Sequence, residues 1–245
     1  MYELFFLENT RFTTWSFQHI GVVLVSAILG YLIIRYAQAQ KEEIKQQQIF
    51  NALGVFVSAT VIVWTLLEIG RGKFSYKEDL PLVICNFLAL TIPVFTFTRS
   101  KKVYELILFW ILAGTVQAII TPDLLDGFPH YTFMKFWIVH NGLVIIVLYA
   151  TFVWGYRPTL RGLFRSYIGL EIYFLIMMGI NALFDTNYFY LNAKPPFATV
   201  LDLFGPWPWY IIVAQLIVIP YFLLLYLPFY LSRQRLRSTI EAKTP

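Results

Sequence analysis

Residues Phe50–Ile69 read FNALGVFVSATVIVWTLLEI, twenty positions whose single charge, Glu68, stands next to the end. A helix crossing a hydrocarbon core of roughly 30 Å needs about 20 apolar residues. In lipid a helix satisfies its own backbone hydrogen bonds, which an irregular segment does not. Six further segments share this character: Trp15–Tyr36, Leu80–Thr98, Val103–Thr121, Phe136–Gly155, Leu163–Phe184 and Pro208–Leu231. The expected fold is therefore an all-α integral membrane protein, a single seven-transmembrane helix bundle over residues 1–245 with no separate soluble domain.

Composition points the same way. Hydrophobic residues make up 58% of the chain and charged residues 13%, against about a quarter charged in soluble domains. The net charge of +5 comes from basic residues clustered at segment ends, which suits orientation and lipid headgroups rather than nucleic acid. The N-terminal stretch MYELFFLENTRFTTW lacks a basic leader and a small-residue cleavage site, so the first segment is expected to be retained.

Orientation follows from the loops. One side carries Arg35, Lys41, Lys45, Arg99, Lys101, Lys102, Arg157, Arg161, Arg165, Arg233, Arg235, Arg237 and Lys243, 13 of the 19 basic residues. The other carries Arg11, Arg71, Lys73, Lys77, Lys135 and Lys194. The positive-inside rule places the first set, and with it the C-terminus, in the cytoplasm. An odd number of spans then puts the N-terminus outside. The expected location is the plasma membrane of a bacterium.

Polar residues inside spans are costly and mark functional sites by default. His19, Glu68, Cys85, Asn86, Gln117, Thr121, His140, Asn141, Asn181 and Asp185 all fall toward the outer half of their spans. That concentration predicts a polar pocket open to the outer leaflet, with Glu68, Asn86, Gln117, Asn141, Asn181 and Asp185 in supporting roles. Cys85 lies five residues past Leu80 and His140 four past Phe136, so both are expected roughly 6–8 Å below the outer boundary. Imidazole beside a thiol removes its proton and yields a thiolate nucleophile. A third group orients the ring, and Asn141, Asn181, Asp185 and Glu68 are all candidates. The competing reading makes Cys85 a small apolar filler and His140 an interhelical hydrogen-bonding residue.

Glu171 is deeper, eight residues into its span from the cytoplasmic side, about 12 Å along the axis. It suits either a neutral, hydrogen-bonded carboxyl or the proton or cation site of a transporter. The longest non-spanning stretch, Asp185–Trp207, reads DTNYFYLNAKPPFATVLDLFGPW and suits an interfacial aromatic belt or a loop capping the pocket. The single cysteine excludes an intrachain disulfide, and the chain contains no C-x-x-C, H-E-x-x-H or Gly-rich phosphate loop, so no metal or cofactor is expected.

The stretches LPLVICN (Leu80–Asn86), FWIVHNG (Phe136–Gly142), GINALFDTNYFYL (Gly179–Leu191) and LDLFGPWPWY (Leu201–Tyr210) carry a resemblance. The chain resembles the YwaF-like integral membrane proteins, to which the eukaryotic transmembrane protein 164 is related, over nearly its whole length. The resemblance implies a phospholipid acyltransferase working through an acyl-thioester, with the cysteine of LPLVICN at Cys85 and the histidine of FWIVHNG at His140. The implied partners are a phospholipid donor and a lysophospholipid acceptor. The alternatives are a small-solute or lipid transporter using Glu171 and the outer polar pocket, and a non-catalytic membrane accessory protein.

Overall fold

The structure is a computed structural model describing residues 6, 10–195 and 200–241. Lys243 and positions 196–199 of the long loop lie outside the described residues, as does most of the stretch before Thr10. Among the described residues there is no β-strand, only an isolated bridge between Arg11 and Asp126. The protein is a multi-pass, all-helical membrane protein. Among the described residues six helices are long and apolar enough to cross a bilayer. They are α1 Phe17–Ala39, α2 Glu43–Gly70, α4 Lys101–Ile120, α5 Tyr131–Phe152, α6 Leu160–Phe184 and α7 Trp209–Glu241, the last apolar over Trp209–Gln234. Between α2 and α4 stands α3, Ile84–Thr98, apolar but only 15 residues long, or about 22 Å.

Several helix starts differ from the sequence reading: α2 begins at Glu43 rather than Phe50, and two others differ for local reasons. The third was expected at Leu80, but Leu80–Val83 form a turn in which Leu82 N donates to Leu80 O at 2.7 Å, and Pro81 disfavours helical dihedrals at the residue before it. The fifth was expected at Phe136 and begins at Tyr131, where the His130 side chain caps it by accepting from Thr132 N at 3.2 Å. Within α4 the ladder loosens into a π-helical segment at Ile111–Thr115.

The chain divides into two compact units, Met1–Tyr104 with Gly114–Tyr156, and Glu105–Ala113 with Arg157–Pro245. In the first unit α2 is central and runs antiparallel to α3 and α5. Toward α3, Gln47 Nε2 donates to Thr96 O at 2.7 Å and Ser58 Oγ to Leu90 O at 3.1 Å. Toward α5, Tyr149 OH donates to Gln46 O at 2.6 Å, and Tyr131 stacks on Trp64 at 5.6 Å. Fully buried Phe50 joins the three helices, its ring 5.4 Å from Phe95 and 4.9 Å from Tyr149. Lipid supplies no hydrophobic drive for this association, so close packing and interhelical hydrogen bonds carry it. Gly54 lies against the Thr96 side chain and Gly142 against Val57, each too close for a Cβ. At the Arg99 end, Arg99 pairs with Glu43, lies 4.5 Å over Trp154, and accepts Tyr156 OH on its carbonyl at 2.7 Å.

In the second unit the Glu105 carboxylate accepts Thr159 N at 2.9 Å and fills the space beside Gly162. Thr159 Oγ1 caps α6 by accepting from Gly162 N at 2.9 Å. Ser166 binds Leu106 O through its hydroxyl at 2.6 Å and accepts Trp110 Nε1 on its carbonyl at 2.9 Å. Phe109 stacks on Phe222 at 5.3 Å, and Arg233 Nη2 donates to Pro158 O at 2.8 Å.

Gly142→Val is expected to destabilise the protein by about 1–3 kcal/mol through overpacking against Val57. Gly21→Ala, with nothing within 4 Å of the added Cβ, serves as the control and leaves thermal unfolding in detergent unchanged. Equal midpoints for the two variants would refute the close-approach role of Gly142.

Candidate active site

Cys85 is the second residue of α3 and His140 the tenth of α5, and both side chains are buried within the first unit. Because both helices run antiparallel to α2, that helix serves as a ruler for their depths. Cys85 is ten residues before Phe95 and His140 nine before Tyr149, the two rings that share Phe50. A second pair of contacts, Ser58 to Leu90 and Val57 to Gly142, separates the two levels by four residues. Cys85 therefore stands about 2–6 Å nearer the Glu68 end than His140, within roughly one helical turn.

His140 Nδ1 lies 2.7 Å from Phe136 O. A carbonyl oxygen only accepts, so Nδ1 carries a proton, and in the neutral form of the ring the lone pair is on Nε2. The Phe136 ring also lies against the imidazole, with centroids 4.1 Å apart. A backbone carbonyl and a tilted aromatic ring thus orient the imidazole, in the role for which Asn141, Asn181, Asp185 and Glu68 were candidates. His19 is fully engaged: Nδ1 accepts from Trp15 N at 2.9 Å and Nε2 donates to Ile119 O at 2.9 Å. That pattern fastens α1 to the end of α4.

Cys85 Sγ meets Thr115 Oγ1 at 3.6 Å. Thr115 is fully buried and ends the π-helical segment. Such segments recur at functional sites. Sequence reading missed Thr115, because a hydroxyl within an apolar run resembles any helix residue bonded to its own backbone. The visible signal was Gly114–Thr115 interrupting an otherwise continuous apolar helix.

The expected supporting residues have different surroundings. Glu68 is buried and bound to Arg71 Nη1 at 2.8 Å. Asn86 is half-buried beside Cys85. Asn141 is half-buried, and its Nδ2 is buried with no hydrogen-bond partner among the described residues, as is Trp137 Nε1 one turn away. Gln117 is exposed and donates to Thr121 Oγ1 at 2.9 Å. Asn181 and Asp185 belong to the second unit. There Asn181 Oδ1 accepts from Thr186 Oγ1 and Tyr188 N at 2.8 Å each, and Nδ2 donates to Tyr188 O at 2.9 Å. Asp185 is the left-handed C-cap of α6, with φ 53°. These two residues end the helix and shape the loop that follows.

Lys135 was read only as a loop charge. It lies in the first two turns of α5, its ammonium 4.8 Å from the centre of the Trp64 ring. It is within electrostatic reach of Asp79, Glu68 and the His140 ring. No group of three or more His, Cys, Asp and Glu side chains suited to a metal occurs among the described residues.

The sequence profile of the TMEM164 family matches residues 12–226. The chain belongs to the TMEM164 family. No curated protein and no solved structure matches it. The family match spans both units, and includes Cys85, His140 and the Asn181 loop.

Asn181→Ala is expected to release three hydrogen bonds and to weaken the 186–192 turn by about 1–3 kcal/mol. Hydrogen exchange should accelerate at Tyr188 N while the core of α2 stays protected. Unchanged exchange at Tyr188 would contradict the anchoring role.

Proposed function

We propose that this TMEM164 family member is a membrane-embedded lipid acyltransferase of the bacterial plasma membrane. Its nucleophile is Cys85 and its general base and acid is His140. The observation that carries this reading is the hydrogen bond from His140 Nδ1 to Phe136 O, which leaves Nε2 basic within about one helical turn of the Cys85 level. The family resemblance around LPLVICN and FWIVHNG supports the same two residues. In this reading α3 also spans the bilayer, giving seven spans with the N-terminus outside and the site toward the outer leaflet.

In the first half-reaction Nε2 takes the thiol proton and Sγ bonds to the donor ester carbonyl carbon. Collapse of the tetrahedral adduct breaks the carbon–oxygen bond. The departing lysophospholipid oxygen receives the proton from Nε2. In the second, the acceptor hydroxyl gives its proton to Nε2 and attacks the thioester. The carbon–sulfur bond breaks, and the proton returns to sulfur. Asn141 Nδ2, without a hydrogen-bond partner among the described residues, or Asn86, supplies a donor for the oxyanion. No cofactor enters this cycle.

Purified protein supplied with a phospholipid donor and a lysophospholipid acceptor is expected to transfer acyl chains, with Cys85→Ala and His140→Ala each lowering the rate at least a hundredfold. Wild-type rates in Cys85→Ala would rule the mechanism out.

A second reading, transport, draws on Glu171, whose Oε1 is buried without a hydrogen-bond partner among the described residues. It requires Glu171→Gln to block uptake into proteoliposomes while Cys85→Ala has no effect. The opposite pattern excludes it.

A further inference from the structure

The charged cluster around Lys135 is not used by the two-residue chemistry. A lysine inside a membrane segment is costly unless something answers its charge. Here the ammonium lies 4.8 Å over Trp64, an arrangement that stabilises the cation through the ring face and leaves N–H donors available. Lys135 makes no salt bridge among the described residues. Both nearby carboxylates have other partners: Glu68 Oε1 holds Arg71 Nη1 at 2.8 Å, and Asp79 Oδ2 accepts Ser75 N at 2.8 Å. Among the described residues the charges there balance, with Glu68 and Asp79 against Arg71 and Lys135. Lys135 precedes His140 by five positions, about 7.5 Å along the axis and about 140° around it, and its charge lies within electrostatic reach of the His140 ring. In a glycerophospholipid only a few bonds separate the phosphate from the nearest ester carbonyl, so the two groups span a similar interval.

We propose that Lys135 binds the headgroup phosphate of a phospholipid whose ester carbonyl lies at Cys85 and His140, with Trp64 as the shelf that positions the ammonium. The position rests on the acyl-transfer reading, but the binding event does not require turnover. Lys135 is thus a substrate-positioning residue at the Glu68 end of the site. A charge-assisted hydrogen bond to phosphate tolerates arginine in place of lysine and not glutamine.

The test uses the full-length protein in detergent, with Cys85→Ala throughout to prevent turnover, and tryptophan fluorescence as the readout. The probes are dioleoylphosphatidylcholine, dioleoylglycerol and inorganic phosphate. Lys135→Gln is expected to weaken phosphatidylcholine binding about tenfold and leave dioleoylglycerol binding unchanged, while Lys135→Arg restores the loss. Unchanged phosphatidylcholine binding in Lys135→Gln overturns the proposal. Equal losses for both lipids also overturn it, because they mark a structural lysine. Saturation by inorganic phosphate alone, with no preference for the lipid, replaces the headgroup with a free-phosphate site. Lys135-dependent lipid binding in a protein that never transfers acyl chains would leave this inference standing and remove the acyltransferase reading alone.

Discussion

Phe50 wedged between Phe95 and Tyr149 is the contact on which the first unit depends. Ridges and grooves alone leave helices free to slide by a turn when lipid surrounds them, because sliding exposes no more apolar surface to water. The aromatic wedge, with Gly54 against Thr96 and Gly142 against Val57, removes that freedom. It fixes the registers of α3 and α5 against the same helix, and so fixes Cys85 and His140 relative to each other.

The register gives the short third helix a purpose. A helix of 15 residues, about 22 Å long, is well below the thickness of the hydrocarbon core. In the proposed seven-span arrangement the Leu80–Val83 turn that precedes it lies at membrane depth, where protein or water must satisfy its backbone. Cys85 sits in the first turn of that helix, and Thr115 meets its sulfur from the π-helical part of α4. Two departures from regular helix therefore converge on one side chain. The imidazole is held differently, by the carbonyl one turn earlier in its own helix. That arrangement orients the ring without placing another ionisable group in a low-dielectric site.

Much of the fold was legible because membrane helices are written in composition and length. Six long helices fall where apolar runs of about 20 residues predicted them. The helix ends were less legible, because Pro81 and His130 act through turn and cap geometry that hydropathy ignores. Cys85 and His140 could be singled out because each is a rare polar residue in an apolar run. Their mutual depth could not be set from their own helices, since it depends on Phe50, Val57 and Ser58 in a third. Asn181 shows the limit of reading polarity as function: a buried amide with three hydrogen bonds is a loop anchor, and only geometry reveals them. Lys135 shows the converse, a charge dismissed as a loop residue because the start of α5 was placed too late.

In the proposed cycle the Cys85 sulfur carries the acyl group between two lipids. Intact-protein mass spectrometry after brief exposure to a phospholipid donor, without acceptor, tests it directly. A thioester intermediate gives a mass increase of one acyl chain, mapped to Cys85, released by neutral hydroxylamine and absent from Cys85→Ala. Acyl transfer that proceeds with no adduct on Cys85 at any time, or an adduct that persists in Cys85→Ala, would contradict it.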